Sequence, residues 1–284
     1  LDTNVITNIG SVVGNSKYAS RFFGFNSPYA RYLAINMDKV KNSNVRKAIQ
    51  CAVDLKTVLL AAGGSAAGVY ANSLIPSNVD PSYRNFDVCG RDVTKKPEAQ
   101  VAAAKKLLAS APAAQKSLLF AYRDKGVEPQ RAAAVQAALQ AVGFKVTMQK
   151  LPRAGYYTAI AKRGVSTEPD LIQTSWGFDW PAASGIVYAL LDGRTMTKID
   201  AHSNYSRQNV PGIQALFRAA DKAPSIDAQE KQLGDIEQKL VQDYAAVVPL
   251  YIETSNFIVG SGLGGVQADG GYGTISPINA YVKK

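Results

Sequence analysis

A strand–helix–strand pattern at residues 117–151 is the feature that most restricts the fold of this chain. The segments "SLLFAYR" (117–123) and "FKVTMQKL" (144–151) are short apolar runs typical of strands. Between them, "EPQRAAAVQAALQAVG" has the composition of a helix, with Pro129 in its first turn and Gly143 at its end. A connection of this length joins parallel strands by a right-handed crossover. The pattern therefore predicts the α/β class.

Strands and helices continue to alternate along the rest of the chain. A strand at 31–37 precedes a helix that an Asn or Ser at 42–44 could cap and that the glycine pair at 63–64 ends. The other predicted elements, in chain order, are a helix at 95–111, a short helix at 154–164, a strand at 169–177, helices at about 183–192, 210–222 and 228–244, and two closing strands within 247–260.

Two segments carry more specific expectations. Residues 65–96 are rich in Ser, Pro, Asn and Asp, and so long a loop is unusual inside a compact domain. We expect it to have a function of its own or to be a lid-like excursion. In the helix at 228–244, Asp227 and Glu230 have the spacing of a capping pair, which predicts that they close its N-terminus.

The charge of the chain argues against a nucleic-acid-binding protein. Its 32 basic and 22 acidic residues give a formal net charge of +10, but the basic residues are dispersed and form no recognition helix. A solvated basic surface is the better interpretation. No stretch reaches the ~18 uninterrupted apolar residues of a membrane helix. The opening "LDTNVITNIG" has neither the basic region nor the apolar run of a signal peptide.

Metal, cofactor and catalytic motifs are not recognisable. Cys51 and Cys89 do not form a CxxC motif and are distant in sequence from His202, the single histidine, so we expect no metal site. The two cysteines could form a disulfide or remain two buried thiols. "GSGLGG" (260–265) matches a dinucleotide motif formally, but the following "VQADGGYGTISP" cannot be the helix that such a motif needs, so we expect no cofactor. No nucleophile–base set stands out, and we expect no enzyme.

The candidate ligand site is "TSWGFDWPA" (174–182), at the end of a predicted strand. It holds both tryptophans of the chain, Trp176 and Trp180, with Phe178 and Asp179 between them, and Tyr205 is a further candidate. Aromatic walls with one charged group are typical of ligand pockets. In the alternative interpretation, the tryptophans belong to the core and Asp179 caps the helix that starts near residue 182.

Four segments in order resemble one protein family. "RYLAINMDKVKNSNVRKAIQCAVD" (31–54) resembles a family strand followed by a "VRxAI" helix, and "SWGFDWP" (175–181) resembles its "WGxDYPD" segment. "NYSRQNVPGIQALFRAA" (204–220) and "QEKQLGDIEQKLVQDYAAVVPLYIE" (229–253) resemble its later helices and "IPLY" strand. The set is similar to the extracytoplasmic solute-binding proteins of peptide, nickel and opine ABC transporters.

The resemblance implies a type II, two-lobed periplasmic-binding fold. By that likeness, residues 1–245 would form the C-terminal, ligand-binding lobe, and 246–284 would return to the first lobe, whose N-terminal half lies outside this sequence. In the peptide-binding members, the acid of the "WGxDYPD" segment pairs with the α-ammonium group of the ligand. That acid corresponds to Asp179, and Trp176 corresponds to a neighbouring pocket aromatic. The segment departs from the family at Ala182 and Ala183, where a second acid is expected, which affects the ligand class more than the fold.

We therefore expect a solute-binding component of an ABC importer that captures peptides or another amine-bearing solute. Its partners would be that ligand, the permease subunits and the first lobe. Its location would be extracytoplasmic, with a lipid anchor on the absent N-terminus. In that compartment, we predict that Cys51 and Cys89 are oxidised. The alternative is a ligand-sensing domain of a regulator built on the same fold.

Overall fold

The computed structural model describes residues 12–93, 96–269 and 273–284. Helices and strands alternate over most of this range, as the sequence predicts. The elements are β1 (Phe22–Ile35), α1 (Ser43–Ala52), α2 (Leu55–Ala62), β2 (Gly68–Tyr70), α3 (Val101–Ala109), β3 (Ser117–Asp124), α4 (Glu128–Val142), β4 (Lys145–Pro152), α5 (Tyr156–Ala161), β5 (Leu171–Gly177), α6 (Ser184–Leu191), α7 (Pro211–Ala220), α8 (Ile226–Gln242), β6 (Val247–Ile258), β7 (Leu263–Gly264), β8 (Gln267–Asp269), β9 (Thr274–Ser276) and β10 (Tyr281–Val282).

A mixed six-stranded sheet forms the centre of the molecule, in the order β2-β6-β1-β5-β3-β4. β3 runs parallel to β4 and to β5, which confirms the predicted strand–helix–strand unit. β1 runs antiparallel to both β5 and β6. The sheet therefore combines a parallel half with an antiparallel half, and the parallel half carries its strand ends toward one edge.

Helices cover both faces of the sheet, as in other α/β folds. Helices α1 to α4 pack on one face, over a core that includes Leu33, Ile49 and Leu139. Helices α6 to α8 pack together on the other face, over a core that includes Tyr32 and Phe217. Alternation along β1 explains the division, because successive side chains of a strand point to opposite faces. None of the described helices is long and apolar enough to cross a membrane.

β1 and β6 extend beyond the sheet as a two-stranded ribbon. Residues 22–26 of β1 pair with 254–258 of β6, and after a bulge β1 pairs with the first half of β6 inside the sheet. The rings of Phe25 and Phe257 stack across the ribbon at 5.9 Å. The predicted strand at 31–37 thus covered only the last five residues of β1 and ran two residues past its end. The two predicted closing strands are one strand of 12 residues.

Residues 71–93, here called the excursion, pack as a strap and not as a lid. Leu74, Ile75, Val79, Phe86 and Val88 are buried in the core beneath it. The expectation of a lid-like loop is therefore wrong for this segment. A lid must leave its closed position without exposing a core, and lifting this strap would expose all five side chains.

The end of the excursion is tied to α1 by a disulfide and an arginine. Cys51 and Cys89 form the disulfide, so the predicted oxidised state is confirmed. The guanidinium of Arg91 is fully buried and donates to the carbonyls of Gln50 and Val53 at 3.3 and 2.8 Å. Because the last carbonyls of a helix lack intrahelical partners, Arg91 satisfies groups that would otherwise be unpaired at the end of α1.

Several predicted helix boundaries need correction. The single helix predicted before Gly63 is two helices. Asp54 has an extended backbone between them and caps α2 by accepting from Thr57 N at 2.7 Å. Residue 95, where a helix was predicted to begin, lies outside the described residues, while residues 96–100, which include Pro97, are not helical, and α3 starts at Val101. The predicted capping pair of α8 is wrong, because Ser225 caps this helix through Ala228 N at 3.2 Å.

Candidate ligand-binding site

Three parallel strands end at one edge of the sheet, and the candidate site lies there. β3 ends at Asp124, β4 at Pro152 and β5 at Gly177. Open α/β sheets bind ligands outside the carboxyl ends of their strands, where loops leave the sheet. The segment after β5, residues 178–183, is here called the Trp180 loop and leads directly into α6.

Both tryptophans are held by the first turn of α6. Trp176, at the end of β5, is half-buried against the core and donates from Nε1 to the Gly185 carbonyl at 2.9 Å. Trp180 is 51% exposed and donates from Nε1 to Ser184 Oγ at 3.0 Å. Phe178 is half-buried against the same core. Of these three rings, the Trp180 ring is thus the exposed one, whereas the Trp176 and Phe178 rings pack against the core.

Asp179 stands at the tip of this loop without a protein partner. Its side chain is exposed and makes no hydrogen bond or ion pair within the described part of the chain. The alternative interpretation, in which Asp179 caps the helix near residue 182, is wrong. Glu230 of α8 does that instead, by accepting from Ala183 N at 2.6 Å and from Ser184 N at 3.3 Å. The Asp179 carboxylate therefore remains available to a ligand.

A further aromatic ring lies beside the loop. Tyr29 of β1 pairs with Gly177 of β5, and its ring lies directly on the glycine. A Cβ at Gly177 would be 2.5 Å from the Tyr29 ring, so only glycine permits this contact. Tyr29 is 43% exposed. Its ring therefore adds open aromatic surface next to the Trp180 loop.

Tyr205 is placed in a separate aromatic cluster. It is 5% exposed and stacks on Tyr157 with ring centres 6.5 Å apart, and Tyr157 meets Tyr156 edge-on at 5.4 Å. Burial raises the pKa of Tyr205 to about 12, so its hydroxyl stays protonated at neutral pH. The other four candidates lie together on or beside the Trp180 loop. Among the three tyrosines of the separate cluster, only Tyr157, at 40%, is substantially exposed.

Three arginines share two carboxylates beside the same edge. Glu128 Oε1, at the start of α4, lies 4.0 Å from Arg31 Nη1, 3.7 Å from Arg131 Nη2 and 3.1 Å from Arg123 Nε. Glu253 pairs with Arg31 Nη2 at 2.5 Å. All five side chains are mostly buried. The cluster therefore carries one positive charge more than its carboxylates neutralise.

The pKa shifts in this region differ between the arginines that are paired with carboxylates and the neighbouring Lys125. Burial by itself lowers the pKa of Arg31, but the Glu253 and Glu128 carboxylates outweigh it and the net pKa is raised. Desolvation lowers the pKa of Lys125, and the positive charges of Arg123 and Arg153 lower it further. The carboxylates thus stabilise the charge of Arg31, whereas burial and the two arginines disfavour the charge of Lys125.

Sequence reasoning missed most of this charged cluster. Arg123 is the last residue of a predicted parallel strand and Glu128 follows that strand, so their place at the carboxyl edge was a usable signal. Arg31 and Glu253 are separated by 222 residues and meet only because β1 and β6 are neighbours in the sheet. No local pattern indicates such a pair. Among the described residues, no group of three or more His, Cys, Asp or Glu side chains could hold a metal ion.

Comparison with known proteins identifies the fold. The family model for bacterial extracellular solute-binding proteins, family 5, matches residues 7–198. The clavulanic acid biosynthesis oligopeptide binding protein 2 superposes with a TM-score of 0.82 at 20% identity, over 93% of this chain and 48% of that one. The Escherichia coli murein tripeptide binding protein MppA superposes with a TM-score of 0.75 at 18% identity, over 97% of this chain and 51% of that one.

The oligopeptide-binding protein AppA from Bacillus subtilis, solved with a nonapeptide, superposes with a TM-score of 0.74 at 16% identity, over 93% of this chain and 52% of that one. The chain thus spans about half of the length of these solved structures. No curated protein sequence matches it. The expected periplasmic-binding-protein-like fold is confirmed. The chain belongs to the bacterial extracellular solute-binding proteins of family 5.

Proposed function

We propose that this chain is the ligand-binding lobe of a solute-binding protein that captures peptides, or another amine-bearing solute, for an ABC importer. The family supports a binding role, and the similar solved structures are named for oligopeptide and murein tripeptide binding. The protein would act outside the cytoplasmic membrane and release its unchanged ligand to the permease subunits.

The carboxylate of Asp179, which has no partner in the part of the chain that the structure describes, carries this proposal. It stands exposed between the half-buried Phe178 and the open ring of Trp180. A ligand ammonium group placed here would form a charge-assisted hydrogen bond, which is stronger than one between neutral groups. The rings of Trp180 and Tyr29 would cover the apolar part of the ligand and exclude water from the pair.

The arginine cluster supports a ligand with a second, negative group. Arg31, Arg123 and Arg131 exceed their two carboxylate partners by one charge, and a buried charge is costly unless it is neutralised. A carboxylate of the ligand near this edge would neutralise it. A peptide, with an ammonium group at one end and a carboxylate at the other, has both groups.

The ligand would be enclosed by a second lobe. The ribbon of residues 22–26 and 254–258 leaves the sheet as a pair of strands. We propose that this ribbon crosses between the lobes, so that the returning segment starts near residue 254 and not at 246. Two strands crossing at one place form a hinge about which lobes can close on a ligand. The half-length match to the solved structures supports a second lobe outside these residues.

Calorimetry on the full-length protein tests the role of Asp179. The probe is an equimolar set of tripeptides with free N-termini, titrated beside the same set N-acetylated. We expect binding of the free peptides only, and expect Asp179→Asn to weaken it by roughly 1.5–3 kcal/mol, the scale of a charged hydrogen bond.

The matched control is Asp243→Asn, another exposed acid, at the far end of α8. It lies about 20 Å along the helix from Glu230, the residue that contacts the start of α6. This variant should bind as the unmodified protein does. Equal affinity for acetylated and free peptides, or an unchanged affinity after Asp179→Asn, would remove Asp179 from the ligand site.

A further inference from the structure

Glu230 connects two segments that lie far apart in the sequence. Its side chain is on α8 and is 4% exposed. Oε2 accepts from Ser82 Oγ at 2.8 Å and from Ala183 N at 2.6 Å, and Oε1 accepts from Ser184 N at 3.3 Å. One carboxylate therefore joins the excursion to the end of the Trp180 loop.

The start of α6 depends on this carboxylate. Its N-cap residue is Ala183, whose side chain cannot accept a hydrogen bond. The first amides of a helix have no intrahelical partner and carry a partial positive charge. Glu230, which lies on a different helix, supplies the two acceptor oxygens that these amides need and a negative charge that balances their partial positive charge. Without it, the Ala183 and Ser184 amides would lose their partner in a buried or half-buried position.

The start of α6 in turn holds both tryptophans. Trp180 donates to Ser184 Oγ, and Trp176 donates to the Gly185 carbonyl. The loop also packs closely on this turn, because a Cβ at Gly185 would lie 3.1 Å from the Trp180 carbonyl oxygen and 3.2 Å from Phe178 Cβ. A shift of the first turn of α6 would therefore move both indoles, and with them Asp179, which precedes Trp180 in the loop.

The excursion also contacts the Glu230 carboxylate, through the hydroxyl of Ser82. Ser82 is fully buried, and its backbone lies against Gly234, one turn after Glu230. A Cβ at Gly234 would overlap the Ser82 carbonyl, so α8 accepts the excursion only at a glycine. The Ser82 hydroxyl then reaches the Glu230 carboxylate and orients it toward α6.

We propose that Glu230 is the positioning residue of the ligand site, and that Ser82 holds it in place. Through the Ala183 and Ser184 amides, the buried carboxylate sets where the Trp180 loop stands and how Asp179 faces the ligand. The effect on ligand binding rests on the proposed function. The positioning of the loop does not, and it can be measured without a ligand.

Tryptophan fluorescence gives that measurement, because Trp176 and Trp180 are the only tryptophans of the chain and both contact α6. In the full-length protein, any tryptophan outside this sequence is first replaced by Phe. We expect Glu230→Gln to increase acrylamide quenching and shift the emission to longer wavelength, with the far-ultraviolet circular dichroism unchanged. Ser82→Ala, a milder variant that keeps the carboxylate, should change both signals in the same direction by less.

Glu237→Gln is the matched control. Glu237 is a buried glutamate two turns further along α8 that also binds the excursion, through Leu74 N at 2.8 Å and Ser73 Oγ at 3.2 Å, but among the described residues it makes no hydrogen bond to α6. Its replacement should leave the tryptophan signals as they are. Unchanged signals in both Glu230→Gln and Ser82→Ala, or an equal change in Glu237→Gln, would overturn the proposal.

The tripeptide titration separates this proposal from the proposed function. If the loop is the ligand site, Glu230→Gln should weaken tripeptide binding about tenfold, the effect of losing one partner of a buried hydrogen bond. A change in fluorescence with unchanged tripeptide affinity would uphold the positioning role and contradict the loop as the site. Unchanged fluorescence with weakened affinity would contradict the positioning role.

Discussion

At the scale of single residues, three acids that look alike in the sequence have different tasks. Asp179 is exposed and has no partner among the described residues, Glu230 is buried with three donors, and Glu237 is buried with two. Burial and hydrogen bonding therefore decide which acid can meet a ligand and which supports the fold. Only the first kind is free to bind without first breaking a contact inside the protein.

The buried Glu237 makes stability depend on pH. Burial raises its pKa from the ordinary value of 4.5 to about 8, although hydrogen bonds from Leu74 and Ser73 partly oppose the shift. The folded state thus holds a proton that the unfolded state has lost, so this contribution to stability is complete below pH 4.5. It decreases as the pH rises toward about 8, by roughly 1.4 kcal/mol per pH unit.

Glu237→Gln should remove this dependence, because the amide cannot ionise. Urea unfolding of both proteins between pH 5 and pH 9 is the measurement, and we expect the variant to be the more stable one at the alkaline end. Glu98→Gln is the control, since Glu98 is 47% exposed in an ion pair with Lys56. Parallel stability curves for wild type and Glu237→Gln would show that Glu237 does not titrate in this range.

At the scale of elements, the excursion is held to the domain at separate points along its length. Ser73 and Leu74 bind Glu237, Ser82 binds Glu230, and Cys89 is bonded to Cys51. Its polar composition is typical of a loop, yet its apolar side chains fill a core. A long segment without helix or strand can be rigid in this way, because its contacts are tertiary.

The disulfide should stabilise the folded excursion because it reduces the conformational freedom of the unfolded chain. Cys51 and Cys89 are 38 residues apart. A loop of that size corresponds to about 3–4 kcal/mol in the chain-entropy model. We expect the double variant Cys51→Ser, Cys89→Ser to lose about that much free energy of unfolding in urea. A thiol reductant should lower the stability of the wild type to that of the variant and leave the variant unaffected. No difference between the two proteins would contradict this account.

At the scale of the whole molecule, β6 belongs to the sheet of this lobe before it leaves in the ribbon. It lies between β1 and β2, and it contributes to both cores. Its buried apolar side chains include Val247, Val248, Leu250, Tyr251 and Ile252. A lobe that ended at residue 245 would lack a central strand, which is the reason for placing the crossing near residue 254.

Two truncations test that boundary. A chain that ends after Ala246 loses β6, including the five buried side chains named above, which are worth about 8–15 kcal/mol at ~1.5–3 kcal/mol each. That is the size of the whole stability of a typical domain, ~5–15 kcal/mol, so this chain should not fold. A chain that ends after Val259 keeps β6 and should unfold cooperatively in urea. Cooperative unfolding of the shorter chain would return the boundary to residue 246, and loss of cooperative unfolding in the longer chain would place the boundary beyond residue 259.

The sequence by itself determined the class of the fold, the family and the loop that holds the candidate site. Patterns of residues close in sequence are sufficient for these predictions. Pro129 and Gly143 set the ends of one helix by their backbone geometry, and Trp176, Asp179 and Trp180 lie within five positions of one another. The tertiary structure decided which acid caps α6, whether the excursion is a lid, and how Arg31 meets Glu253. Each of these joins residues distant in the chain, and their energies depend on burial and on the sheet order, which no local pattern contains.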